Sequence, residues 1–199
     1  MKGRLVLLAT VLLMFCLTTC AQSPKEPEPD YLELMARAAQ RGDAEAGAQA
    51  EWMYRLKSEE NPEEEHAISF DSLYLLARVI CAQYGDYHYT DELRQAYGEL
   101  LLNRMCSPEY PNTLEGVIFQ ARRAGEIDSE RLAQCLTPDR ASVTAALRVL
   151  QGERRMESDV VITSDTPTQQ VYAVFCDDLM GNTYFCRSDK PELYVEEGE

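Results

Sequence analysis

LYLLARVICAQYGDYHYTDELRQAYGELLLNRMCSPEYPNTLEGVIFQ, Leu73 to Gln120, decides the fold of this chain. It reads as helix, loop, helix, turn, helix. In the first helix Leu73, Leu76, Val79, Ile80 and Gln83 follow three- and four-residue steps, so an amide falls in line with an apolar stripe and faces a cleft or core. Gly85-Asp86 stops that helix. Thr90, followed by Asp91 and Glu92, offers a side-chain cap and negative charge to the next first turn. Leu93, Ala96, Tyr97, Leu100, Leu101 and Met105 make the second buried face, which leaves Glu99 as a solvated helix charge. Ser107-Pro108 and Tyr110-Pro111 end the second helix, since proline cannot donate to the helix ladder and restricts the residue before it. Thr113 caps a third helix over Leu114 to Ala124.

The strings LLARVICAQYGD and LLLNRMCSPEYPNTLEGVIFQ resemble the SleB-type cell wall hydrolases, the spore cortex-lytic enzymes and their secreted Gram-positive relatives. Members read LLAR, two hydrophobics, two variable residues, EA-x-G-[DE], then a helix ending VVLNRV, then SP-x-FP-x-T. AALRVLQGER and TYFCRSDKPELY extend the resemblance over most of the chain, from about Tyr31 to Tyr194. It implies an enzyme that cleaves the glycosidic bonds of peptidoglycan by a lytic-transglycosylase-like reaction, with the glutamate of the EA pair as acid. It implies no cofactor.

Two departures bear on activity. The family's glutamate position is Gln83 here. A carboxamide has no proton to give a leaving glycosidic oxygen, and losing a positioned acid removes a factor of about 10² to 10⁴ in rate. Where the family continues Q-P-G-Q-[FY] after the third helix, this chain has Gln120-Ala121-Arg122-Arg123-Ala124-Gly125, so the aromatic substrate loop is missing or remodelled.

The candidate site therefore has two readings at most positions. Gln83 is a sugar-binding amide or a glutamine capping a carbonyl. Asp86 is a turn residue beside Gly85 or a substitute acid, with Glu92 and Glu99 further carboxylates. Tyr84, Tyr87 and Tyr89 stack on sugar rings or pack on one another. Gln120 binds substrate or supports the cleft floor. Asn103 and Arg104 match the family's NR pair and read as structural: Arg104 on the terminal carbonyls of its own helix, Asn103 on the turn that follows.

The N-terminus reads as an export signal. Lys2 and Arg4 precede an apolar run from Leu5 to Leu17, too short for a membrane span and suited to a signal peptide over residues 1–20. Leu17-Thr18-Thr19-Cys20 resembles a lipoprotein cleavage box that would leave a lipid on Cys20 and a membrane anchor. Cleavage after Ala21 and an uncleaved anchor are the alternatives. Residues 21–30 are rich in proline and charge, as a tether is. The expected location is the outer face of the cytoplasmic membrane or the wall, with glycan strands as partner. Protein partners are not legible. A formal charge of -15 over 199 residues argues against nucleic acid.

Outside residues 1–20, Cys81, Cys106, Cys135, Cys176 and Cys186 remain. Cys176 and Cys186 flank a hairpin and are the expected disulfide; Cys81 and Cys106 read as buried thiols on apolar helices. No spacing fits a metal site, and His66 and His88 stand alone. Residues 31–58 read as a helical hairpin covering the core, and 66–195 as the wall hydrolase domain. The acidic loop from Asn61 to Glu65 separates them. Thr137-Pro138 starts a helix that Gly152 stops. From Asp159 the period changes to strand, with VVIT, VYAVFC and TYFC. The expected class is α+β: one mostly helical domain with a small C-terminal antiparallel sheet.

Overall fold

Helix termini in this chain fall where the sequence offers a cap. The structure, a computed structural model, describes residues 29–60, 68–168 and 170–194. The signal segment with Cys16 and Cys20, most of the tether, the acidic loop, His66 and the terminal Glu196 to Glu199 lie outside the described residues. Among the described residues there are seven α-helices: α1 Tyr31–Arg41, α2 Ala44–Glu60, α3 Phe70–Tyr84, α4 Asp91–Cys106, α5 Leu114–Ala124, α6 Ser129–Gln134 and α7 Arg140–Leu150. Three strands follow: β1 Val160–Ser164, β2 Val171–Asp177 and β3 Gly181–Arg187, then a 3₁₀ turn at Pro191–Leu193. Ser69, Thr90, Thr113, Asp128 and Asp139 each accept a backbone N–H of the first turn of α3, α4, α5, α6 and α7. The α7 cap is thus Asp139, and Thr137-Pro138 precedes the helix instead of opening it.

The class is α+β, a mostly helical domain with a small antiparallel sheet near the C-terminus. α4 is its axis. Every residue from Leu93 to Arg104 is buried, so this helix has no solvent face and its hydrophobic stripe is only part of its surface. α3 crosses it closely because Gly98 has no side chain: a Cβ there would stand 3.0 Å from Ile80 Cδ1. Leu76, Ile80, Leu100, Leu101, Ala146 and Val149 fill the space between α3, α4 and α7.

The polar residues on the rest of α4 hold the chain that follows α7. Gln95, Glu99 and Asn103 lie at four-residue steps, one above another on the helix. Gln95 donates to the Glu153 carboxylate at 3.3 Å, Glu99 accepts the Arg155 and Met156 N–H groups, and Asn103 donates to the Glu157 and Val160 carbonyls at 2.9 and 3.2 Å. Glu99 is wholly buried and is no solvated charge. Asn103 fixes the turn before β1, not the one after its own helix.

The sheet order is β1-β3-β2, antiparallel throughout, and Phe185 of β3 is fully buried with Phe175 edge-on to it at 5.4 Å. The register overturns the expected disulfide. Cys176 stands opposite Asn182 and Cys186 opposite Val171, so the two are about 13 Å apart along the strands. A disulfide requires Cα atoms within about 7 Å. Cys176 is exposed, and Cys186 is buried and accepts a hydrogen bond from Thr168. Cys106, expected inside, is exposed at the last residue of α4, where the chain turns away. Trp52, at the middle of α2, is 60% exposed, so its indole does not cover the core.

Candidate functional site

The last turn of α3 meets the end of α5 at one hydrogen bond. Gly125 adopts φ +78°, the left-handed cap that glycine takes at low cost, and the Glu126 N–H returns to the Ala121 carbonyl at 2.9 Å. That turn leaves the Glu126 carbonyl facing Gln83, whose Nε2 donates to it at 2.5 Å. Gln83 is half-buried and its side chain lies beside the hydroxyl of Tyr97, a buried residue of α4. Of the two readings of Gln83, the carbonyl-capping one is present, at a site that solvent partly reaches.

Aromatic rings wall this point. Tyr84 lies edge-on to Tyr89 at 5.1 Å and to Tyr97 at 4.9 Å. Burial pushes the Tyr84 phenol up to about 12, against a hydrogen bond with Thr183 of β3, and burial likewise raises Tyr97. Tyr89 is raised by burial too, with the Arg131 charge acting the other way and Asp177 and Asp86 adding to the rise. The charges of Arg131 on α6 and of Asp177 at the β2–β3 turn thus reach the 85–90 loop.

Arg104 braces the far side. Its guanidinium is buried, donates Nε to the Val161 carbonyl at 2.6 Å, pairs with the Glu126 carboxylate at 2.5 Å and lies 5.0 Å from the Tyr110 ring centre. These bonds reach β1 and Glu126; they do not go to the carbonyls ending α4, as the sequence had implied. The Glu126 carboxylate is 41% exposed, so one carboxylate of this cluster is open to solvent and fixed by a buried cation.

The remaining candidates divide. Asp86 is exposed, and its carbonyl accepts from Tyr89 N–H and from Arg94, which is turn chemistry. Tyr87 is 84% exposed, with its ring 3.8 Å from that of His88, so it packs on nothing in the core. Gln120 is exposed on α5, whose inner face is Leu114, Val117, Ile118 and Ala121, and it does not floor a cleft. α5 continues unbroken through Ala121 to Ala124, so helix stands where the family has its aromatic loop.

Glu126 and Tyr97 were not legible as site residues. Gly125 was the available signal, since a glycine ending a helix turns the next residue back over it. Among the described residues no three His, Cys, Asp or Glu side chains converge as metal ligands do. No helix among them is long and apolar enough to cross a membrane. A groove of about 480 Å³ lies elsewhere, between α3, α5 and α6, lined by Arg78, Phe119 and Arg122 among others. Compared with known protein families, curated proteins and solved structures, the chain matches none.

Proposed function

We propose that this is an exported protein of the SleB-like cell wall hydrolase type, whose cleft binds peptidoglycan glycan strands and cuts them slowly or not at all. The reading rests on the sequence resemblance and on one observation, the environment of the Gln83 amide. Its Nε2 faces a carbonyl oxygen, which can only accept. A glutamate at this position would bring a carboxyl to the same oxygen, and the contact is favourable only while that carboxyl keeps its proton. A carboxyl obliged to stay protonated near neutral pH is what a general acid requires. With glutamine the geometry is kept and the proton is missing.

Tyr84 packs on Tyr89 and Tyr97, which leaves the ring of Tyr89 and the exposed ring of Tyr87 on the same loop to offer faces for stacking on sugars. Glu126 replaces Asp86 as the carboxylate to consider beside Gln83, because it shares a hydrogen bond and a cation with the cluster while Asp86 serves its turn. Retention at the outer face of the membrane rests on a lipid at Cys20. Cys20→Ala should release the protein from membranes or block its processing, and equal detergent partitioning of both forms removes the anchor from the proposal.

The test of function is a zymogram and a pull-down on purified peptidoglycan. Wild type should bind without clearing, and Gln83→Glu should gain cutting by a factor of about 10² or more. If wild type digests as fast as Gln83→Glu, the acid lies elsewhere, and Glu126→Gln and Asp86→Asn locate it. If neither form binds or cuts, the glycan reading fails and a scaffold role replaces it.

A further inference from the structure

Tyr74, Arg78 and Cys81 follow at four- and three-residue steps along one face of α3, and the first two fasten a single short segment at the end of α6. The Tyr74 hydroxyl donates to the Leu136 carbonyl at 2.6 Å; Arg78 donates Nε to the Cys135 carbonyl at 2.8 Å and Nη2 to the Leu132 carbonyl at 2.9 Å. The next position on that face is Cys81. Its thiol lies beside that of Cys135, the residue that closes α6 and whose carbonyl Arg78 holds. Both cysteines are free thiols and both are half-buried. Gly85 keeps a side chain off the Cys81 sulfur, since a Cβ there would stand 3.0 Å from it.

We propose that Cys81 and Cys135 form a redox pair that closes to a disulfide joining the end of α3 to the end of α6. The oxidant is a disulfide, carried by a thiol–disulfide oxidoreductase or by a small molecule. The Cys81 thiolate attacks one donor sulfur; a mixed disulfide forms and the other donor sulfur leaves as a thiolate and takes up a proton. Cys135 then loses its proton and attacks the Cys81 sulfur, so the Cys81–Cys135 bond forms and the second donor sulfur departs as a thiol. Two protein thiols have given up two electrons and two protons, and the donor disulfide has become two thiols.

The surroundings assign the attacking role to Cys81. The hydrogen bond from Cys135 lowers the Cys81 thiol to about 7; burial opposes this, the Asp139 backbone N–H at the start of α7 assists it, and the Asp139 carboxylate opposes it. Cys135 is correspondingly raised, first by its bond to Cys81 and then by burial, although the Arg78 charge acts the other way. The pair yields one proton readily and holds the second, as an attacking and a resolving thiol do. Among the described residues the other three cysteines have no such partner: Cys106 and Cys176 are exposed on separate elements and Cys186 is buried in the sheet.

The test uses the full chain, incubated with oxidised glutathione, alkylated and mapped by mass after digestion. The expected product is a linked Cys81–Cys135 peptide. Its closure should raise the melting temperature by about 5 °C or more over the reduced sample, because a cross-link over about 50 residues restricts the unfolded chain. Cys81→Ser and Cys135→Ser should show no such rise. A glutathione adduct that persists on Cys81 without closing, or both thiols still free after Cys176 has reacted, overturns the proposal.

Discussion

Both carboxylate oxygens of Glu99 accept the backbone N–H of Arg155, at 2.8 and 3.0 Å, in a place where none of Glu99 is exposed. The same carboxylate takes the Met156 N–H at 2.8 Å, so it satisfies two donors that would otherwise be buried without partners. Glu99→Gln keeps the shape and turns an N–H₂ group towards those donors. The expected cost is about 2 to 3 kcal/mol, measured by urea unfolding, against under about 1 kcal/mol for Gln95→Leu, whose bond to Glu153 is long and partly exposed. A Glu99→Gln protein within about 0.5 kcal/mol of wild type would show that the contact does not hold the segment.

The helices and caps of the domain were legible because each rests on local chemistry: Thr90 and Thr113 cap whatever helix follows them, and apolar residues at three- and four-residue steps need one buried side. The burial of α4 was not. Gln95, Glu99, Asn103 and Arg104 carry the polarity of a solvent face, and only the return of residues 153–161 over that face makes it interior. The same limit hid the site. Glu126 comes to Gln83, and Cys135 to Cys81, through packing of distant elements that no local spacing encodes. Hairpin spacing brought Cys176 and Cys186 together in the sequence reading, but the turn is set by Asp177, which accepts the Leu179 and Met180 N–H groups at 2.8 Å, and the resulting register separates them.

That separation predicts unequal thiol reactivity. Cys176 should react with a maleimide in the folded protein within minutes, and Cys186 only as the sheet opens. Mass mapping after timed quenching checks this, and recovery of a Cys176–Cys186 peptide from protein prepared without reductant would refute the register.

Glu109, in the turn after α4, gathers the end of the chain. It accepts from Ser188 and from the Tyr194 hydroxyl at 3.0 Å and pairs with Lys190 at 3.0 Å. Burial alone would raise its carboxyl, and the bonds from Ser188, Lys190 and Tyr194 outweigh that and lower it. A carboxyl lowered in the folded state contributes stability that is present above its unfolded value of about 4.3 and is lost as pH falls through the folded value. Hydrogen exchange, corrected for the intrinsic pH effect, should therefore show residues 188–194 protected at pH 6 and progressively less protected as the pH falls below about 4. Glu109→Gln should lose most of that contrast, and an unchanged contrast would place the acid-sensitive group elsewhere.

The Gln83 to Glu126 hydrogen bond makes a prediction that does not depend on glycan. In Gln83→Glu the new carboxyl meets the Glu126 carbonyl at the place where Nε2 now donates, and only the protonated acid can donate there. Its folded value is therefore raised above the ordinary carboxyl value of about 4.3. A carboxyl raised in the folded state contributes stability that is complete below its unfolded value and is lost as pH rises through the folded one. Gln83→Glu should match wild type near pH 4 and fall below it by about 1 kcal/mol or less by pH 8, because solvent reaches the Glu126 carbonyl and softens the loss of its donor. Paired denaturant titrations from pH 4 to pH 8 give the difference directly. A constant gap across that range would mean that the side chain at position 83 turns away from Glu126 in the variant, and the protonated acid on which restored cutting depends would not exist.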